Sequence, residues 1–297
     1  MNDLIHELTQ IHGPSGNEER VREAIRALIE PHANQVWTDA LGNLIASAGR
    51  EGGTRVMLSA HMDEVGLMVT SIKDNGLLGF ARVGGIDPRV LLSKRVRVGP
   101  NKIPGVIGAK PVHLQKPKEK KQAVPLEQLT IDIGVDSREE AEKYVQLGDY
   151  VTFDSEFTRL GSSRVLGRAF DDRVGCALLA ELLHNRYPVT VYGVFTVQEE
   201  IGLRGARVAA YGINPDYGLA LEGTTCADIP DSPGHGEATR LGRGPVLTFK
   251  DRGSIMDRRL VDLLIRVAED NGIPWQWKRT TTGANDAAAI SRTREGV

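Results

Sequence analysis

The chain has little of what marks a small secreted fold or a membrane fold. Two cysteines, Cys176 and Cys226, occur in 297 residues. They form no metal-type or redox-type spacing, which argues against a disulfide framework. No apolar run is long enough to cross a bilayer. The opening Met1-Asn2-Asp3-Leu4 has neither a basic n-region nor an apolar h-region. No secretory signal is therefore expected, and the chain reads as cytoplasmic. Strong charge of either sign is also missing: the net charge is -2, so neither nucleic acid nor a membrane surface is an expected partner. Aromatic residues make up only 5%. The last scarcity is histidine, with seven in the chain and none after His235.

What remains is an ordinary globular composition, 40% hydrophobic and 26% charged, on a chain long enough for one large or two ordinary domains. Leu4, Ile5, Leu8 and Ile11 follow helical spacing, and Gly13-Pro14-Ser15-Gly16 breaks the run. Ser15 with Glu18 reads as a capping box for a second helix, with Val21, Ile25 and Leu28 on one face and Pro31 at its end. Strands are expected at residues 35–38, 43–47 and 54–60.

From about residue 65 to 163 the texture changes. Short β-branched stretches at 95–98, 106–107, 129–133 and 150–153 are separated by Gly, Pro and charge, with one helix-like piece at 137–146. This predicts a small β domain, a barrel or sandwich, inserted into the chain. The charged run at 116–122 reads as a solvated loop. From Arg168 the αβ alternation returns: a helix at 172–185, a strand at 189–197, a helix at 203–211 and a strand at 217–221. Later come a strand at 246–249, a helix at 254–271, a strand at 275–280 and a helix at 284–293. The expected architecture is a three-layer α/β/α domain formed by residues 1–64 and 164–297, interrupted by the inserted β domain at 65–163.

Four segments place hard metal-ligand side chains at the edges of apolar runs: Ala60-His61-Met62-Asp63, Ala169-Phe170-Asp171-Asp172, Gln198-Glu199-Glu200 and Leu221-Glu222-Gly223. In open α/β sheets ligands bind beyond the carboxyl ends of the strands, so residues far apart in sequence can converge there. One histidine and several carboxylates are the material of a two-metal hydrolytic site. Each segment alone has a plainer reading. His61 and Asp63 could satisfy one another, Asp171-Asp172 could cap a helix, and Glu199-Glu200 could be a solvated face. All four at element ends make the joint plain reading much weaker.

The same residues sit in longer stretches. These are Ser59-Ala60-His61-Met62-Asp63-Glu64-Val65-Gly66, Gly84-Gly85-Ile86-Asp87, Gly105-Val106-Ile107-Gly108-Ala109-Lys110-Pro111 and Ile131-Asp132-Ile133-Gly134. They continue with Gly148-Asp149, Ala169-Phe170-Asp171-Asp172-Arg173-Val174-Gly175, Gln198-Glu199-Glu200-Ile201-Gly202 and Gly283-Ala284-Asn285-Asp286-Ala287. In this order they resemble the deblocking or glutamyl aminopeptidases, dinuclear metallopeptidases that include the tetrahedral TET-type particles.

The resemblance implies a set of roles. Asp171 is the expected bridge between two divalent metals, zinc or cobalt. His61 and Glu222 are the expected further ligands of the first metal, with Glu222 standing where many relatives have aspartate, and Glu200 is expected on the second. Glu199 is the expected general base, and Asp63 the residue that orients His61. The Asp171–Asp172 peptide is a candidate cis bond. Peptide substrates with a free N-terminus, and self-association from dimer to dodecamer through the β insertion, are implied in the same way.

Relatives also carry a histidine for the second metal, beyond the segment that residues 290–297 resemble. His235 reads as a plain loop histidine, and His113 lies in the inserted domain, near where relatives make subunit contacts. One alternative is therefore a family member with an incomplete second metal site, acting as a binding or scaffold subunit. A weaker one is glycoside hydrolysis by a carboxylate pair such as Glu199 and Asp171, which leaves His61 without a job and finds few aromatics to stack on sugars.

Overall fold

A computed structural model describes residues 1–117, 119–230 and 237–297. Helices α1 (Asn2–Gln10) and α2 (Glu19–Ile29) lead into β1 (Gln35–Thr38), β2 (Leu44–Gly49) and β3 (Arg55–His61). The chain then enters β4 (Gly66–Ile72), β5 (Leu78–Val83), β6 (Arg95–Val98), β7 (Ile103–Gly108) and β8 (Thr130–Asp132). After α3 (Arg138–Ala141), β9 (Tyr150–Phe153) completes a closed barrel in the order β4-β5-β8-β7-β6-β9. Leu67, Leu78, Val98, Ile131 and Val151 fill it. A hairpin of β10 (Thr158–Leu160) and β11 (Arg164–Leu166) follows.

The chain returns through α4 (Phe170–Leu182), β12 (Thr190–Thr196), α5 (Arg204–Ile213) and β13 (Tyr217–Ala220). The main sheet runs β1-β2-β12-β3-β13. Last come β14 (Val246–Leu247), α6 (Arg258–Asp270), β15 (Gln276–Trp277) and α7 (Asp286–Ile290), with β14 and β15 paired in parallel. No described helix is long and apolar enough to cross a membrane.

Period-two alternation builds the layers. Leu44, Ala46 and Ala48 of β2 and Phe195 of β12 face α1, α2 and α4, where Leu8, Val21, Ile25 and Leu179 close one core. Ile45, Met57 and Val194 point to the other face and pack on Ala206, Ala210 and Ile290 of α5 and α7. Each fully buried Leu, Ile or Phe contributes about 1.5–3 kcal/mol. The expected α/β/α sandwich and inserted barrel are thus both present.

Three features position the ends of the strands. β3 runs parallel to both β12 and β13, with His61 opposite Thr196 and Ser59 opposite Ala220. The carboxyl ends of all three therefore reach the same edge. The start of α5 lies against the end of β12: a Cβ on Gly205 would stand 2.4 Å from the Val197 carbonyl oxygen and 2.3 Å from Asn43 Oδ1. Only glycine permits that approach, and it sets the short loop carrying Glu199 and Glu200. In α4 the Asp171–Asp172 peptide is cis, and both residues have non-helical dihedrals.

Several local expectations need correction. Ser15 and Glu18 do not form a capping box; α2 starts at Glu19 with no side-chain cap. The helix expected at 137–146 is one turn, Arg138–Ala141, capped by Ser137. The strand expected at 275–280 is only Gln276–Trp277, because among the described residues it pairs only with the two-residue β14. The last helix ends at Ile290 rather than 293.

Candidate active site

Asp63 is the hub of the edge where β3, β12 and β13 end. Its side chain is fully buried, beside His61 Nδ1 at 3.3 Å. Its carboxylate accepts the Glu199 N–H at 3.0 Å and the Glu200 N–H at 3.2 Å. Ser15 Oγ donates to it at 2.6 Å. Asp63 thus orients the imidazole, through this carboxylate and through its backbone carbonyl 3.0 Å from Nδ1, and its side chain fixes the backbone of both glutamates. Burial alone would raise the Asp63 carboxyl, but the hydrogen bonds from His61, Ser15 and Glu199 outweigh it and hold it below the usual range.

His61 is almost completely buried, and its Nε2 faces the cleft, 3.1 Å from Asp171 Oδ1 and 3.6 Å from Glu222 Oε2. Burial opposes its charge, yet Asp171, Asp63 and Glu222 together raise its pKa well above the ordinary value. Glu199, Glu200 and Glu222 line the same cavity, with Asp171 and His61. Burial is the main force raising their carboxyls. Glu199 is pushed up to about 8 and Glu200 to about 7, with neighbouring acids adding to both. Glu222 rises well above its ordinary value, burial again leading.

The two aspartates of α4 do different work. Asp172 is fully buried, and its oxygens accept the N–H groups of His61 (3.2 Å), Gly175 (3.1 Å) and Gly223 (3.1 Å). It ties the end of β3, the first turn of α4 and the loop after β13 together. Asp171 is 59% exposed at its side chain and turns toward the cleft.

These residues fit a divalent cation. The donors are hard nitrogen and oxygen atoms crowded at one point, and Glu222 Oε1 is buried with no hydrogen-bond partner among the described residues. One ligand atom each of His61, Asp172 and Glu222 lie within 4.8 Å of one another. Three backbone N–H groups already occupy Asp172, whereas the only hydrogen-bond contact of the Asp171 carboxylate among the described residues is His61 Nε2 on Oδ1.

A family model described as M42 glutamyl aminopeptidase matches residues 42–297. This chain belongs to the M42 family. It is 34% identical over 304 residues to the lysyl aminopeptidase of Pyrococcus furiosus, covering 99% of this chain and 86% of that one. The crystal structure of a TET aminopeptidase from a marine-sediment thaumarchaeote superposes with a TM-score of 0.96 at 37% identity, covering 99% and 85% of the two chains. The Pyrococcus horikoshii TET1 peptidase, described as assembling into a tetrahedron or a large octahedral shell, gives 0.85 at 38% identity, covering 99% and 88%. The M42 chain is thus a peptide hydrolase of the aminopeptidase type.

Sequence reasoning named His61, Asp63, Asp171, Glu199, Glu200 and Glu222, and the fold of the M42 chain brings all six together. It missed the holding role of Asp172 and the use of Ser15 and Glu18. Glu18 accepts the Gly16 N–H at 2.8 Å and the Gln198 N–H at 3.1 Å, and so holds the loop that carries Glu199. Gln198 needs holding, since its φ of 56° is left-handed and disfavoured without glycine. Also missed was Asp286, fully buried and bonded to Thr196 Oγ1 at 2.6 Å beneath the site. His235 lies outside the described residues. His113 sits in a 3-10 turn of the inserted segment.

Proposed function

We propose that this chain is a metal-dependent aminopeptidase that removes residues one at a time from the N-terminus of peptides. The observation that carries the reading is the buried Glu222 oxygen, without a hydrogen-bond partner among the described residues, in a cavity that His61 and several carboxylates line. His61, Asp171 and Glu222 would hold one divalent ion, and Asp171 with Glu200 a second; the donor set suits zinc or cobalt. Such ions supply Lewis acidity toward the scissile carbonyl and lower the pKa of water from about 15.7 toward 7.

The protein's own residues do the rest. Glu199 takes a proton from the attacking water and returns it to the leaving amine. Asp63 keeps the His61 ring in one orientation. The carboxylate crowd also suits the substrate's free ammonium, which accounts for cleavage at the terminal residue. Membership leaves the identity of that residue open, since the family description says glutamyl and the Pyrococcus furiosus relative is named lysyl.

Chelation should abolish hydrolysis of aminoacyl-p-nitroanilides, and added zinc or cobalt should restore it. Saturating cation, at about 100 times its Kd, should also raise stability by about 2.7 kcal/mol in thermal unfolding. Activity that survives chelation, or none at all with cation restored, would sink the reading. A soluble glucan is expected to remain intact in the same assay.

Residues 1–64 and 164–297 form the catalytic domain in this reading, and 65–163 the domain that mediates assembly. The barrel segment exposes Leu92, Val112, Leu114 and Leu147, the kind of apolar surface that a second copy covers. Light scattering after gel filtration should give a dodecameric mass, and a monomer at working concentration would count against it.

A further inference from the structure

A second cavity of about 540 Å³, lined largely by the inserted segment, adjoins the catalytic one. The two share Asp171 and Glu200 and no other lining residue. A substrate that reacts at that pair therefore reaches into both. Away from the shared acids, the second cavity is lined by Val65, Ile86, Val90, Phe153 and Phe170. The loop after β5 brings this apolar lining to the site. Gly84 has a φ of 90°, and a Cβ there would stand 2.9 Å from Val65 Cγ1 and 3.2 Å from Glu200 Cβ. The loop thus passes directly against Glu200. It is held in shape: Arg82 Nη1 donates to the Ile86 carbonyl at 2.6 Å, and Asp87 caps the 3-10 turn Pro88–Val90. Val90, at the end of that turn, is 54% exposed. Phe170 directly precedes Asp171, and its ring meets that of Phe157 edge to face at 6.1 Å.

We propose that this second cavity binds the residue that follows the scissile bond, and that it selects peptides whose second residue is bulky and apolar. The proposal rests on the aminopeptidase reading above and adds a preference on the leaving side of the bond. Charge sets which way the peptide lies. Glu199 and Glu222 line the catalytic cavity alone, so the free ammonium is drawn there. The acids that line only the second cavity are already paired, Glu64 with Arg168 and Asp87 with Arg89, whose Nε lies 2.9 Å from Asp87 Oδ2. That cavity also holds a cation, Lys94. The N-terminal residue thus occupies the catalytic cavity, and the departing peptide begins in the second. An apolar side chain there covers Val90 and Phe170 and itself leaves water, and each buried methylene adds to binding. A lysine at the same position finds the cavity's own acids paired and meets like charge in Lys94, which rejects it.

The test measures kcat/KM on the cation-loaded enzyme for four tripeptide amides that differ only at the second residue: glycine, leucine, phenylalanine or lysine. Their N-terminal residue is kept the same, the one best cleaved in the p-nitroanilide series. Leucine and phenylalanine are expected to exceed glycine by about 10–100-fold, the worth of burying one such side chain, with lysine no better than glycine. Val90→Asp should lower the leucine-to-glycine ratio about tenfold and raise the lysine peptide relative to the leucine one, whereas Val90→Ile should keep the wild-type order. A wild-type ratio near one, or a ratio that Val90→Asp leaves unchanged, overturns the proposal while the aminopeptidase reading stands. No cleavage of any of the four peptides overturns both.

Discussion

Replacing Glu199 with glutamine is expected to lower kcat about 10²–10⁴-fold with little change in KM or in thermal stability. Glutamine keeps the shape and length of the side chain but cannot take a proton from water. The fold does not rely on this carboxylate: among the described residues it forms no hydrogen bond, and the residue is tied in place through its backbone N–H to Asp63. Burial and the neighbouring acids oppose the Glu199 charge, so a neutral glutamine costs the fold nothing, and the loss should fall on the chemical step. Steady-state kinetics with thermal unfolding of the same sample separates the two. A variant with kcat within threefold of the parent would remove Glu199 from the role of base.

Asp63→Ala is expected to have the largest combined effect, a loss of about 3–5 kcal/mol in stability together with loss of measurable turnover. The substitution removes the carboxylate 3.3 Å from the buried His61 Nδ1, which keeps only the residue-63 backbone carbonyl at 3.0 Å, and strips the acceptor from Ser15 Oγ and from the N–H groups of Glu199 and Glu200. Ser15 Oγ is buried and the two N–H groups are part-buried, so water replaces the lost acceptor only in part. Asp63→Asn should fall between parent and alanine variant, because one acceptor oxygen remains while the charge beside His61 is gone. Urea denaturation gives the first quantity and p-nitroanilide turnover the second. An alanine variant that folds as stably as the parent would contradict the hub role of Asp63.

Much of this site was legible because its residues sit at the ends of apolar runs. The run 189–197 is almost wholly apolar and stops at Gln198-Glu199-Glu200. An acid pair there has little reason to be a solvated face, and β12 does carry it to the sheet edge. The barrel was legible through its glycine-punctuated β-branched stretches. What stayed hidden was long-range. Ser15 and Glu18 have capping-box spacing, and nothing in that local pattern shows that the bonds go instead to Asp63, 48 positions on, and to Gln198, 180 positions on. Asp171 and Asp172 are adjacent and chemically identical, so only the three N–H groups gathered on Asp172 tell holder from free carboxylate. β15 is shorter than its apolar run because among the described residues it pairs only with the two-residue β14, and α7 starts late because Asn285 caps it, neither of which periodicity shows.

The register of β12 on β3 links the stability of this protein to its chemistry in a way that limits how it can change. His61 stands opposite Thr196, and the same alignment sends Phe195 into one core and Val194 into the other. Slipping the pairing by one residue would exchange the two faces, driving Phe195 into the core shaped for Val194 and Val194 into that shaped for Phe195, at the same time as it parted Glu199 and Glu200 from Asp63. A misaligned catalytic edge is therefore not available as a folded alternative. Chains that reach the native core arrive with the strand ends already aligned, so partial inactivation of a purified sample should reflect altered side chains or, if the proposed metal dependence holds, lost cation, rather than a shifted sheet.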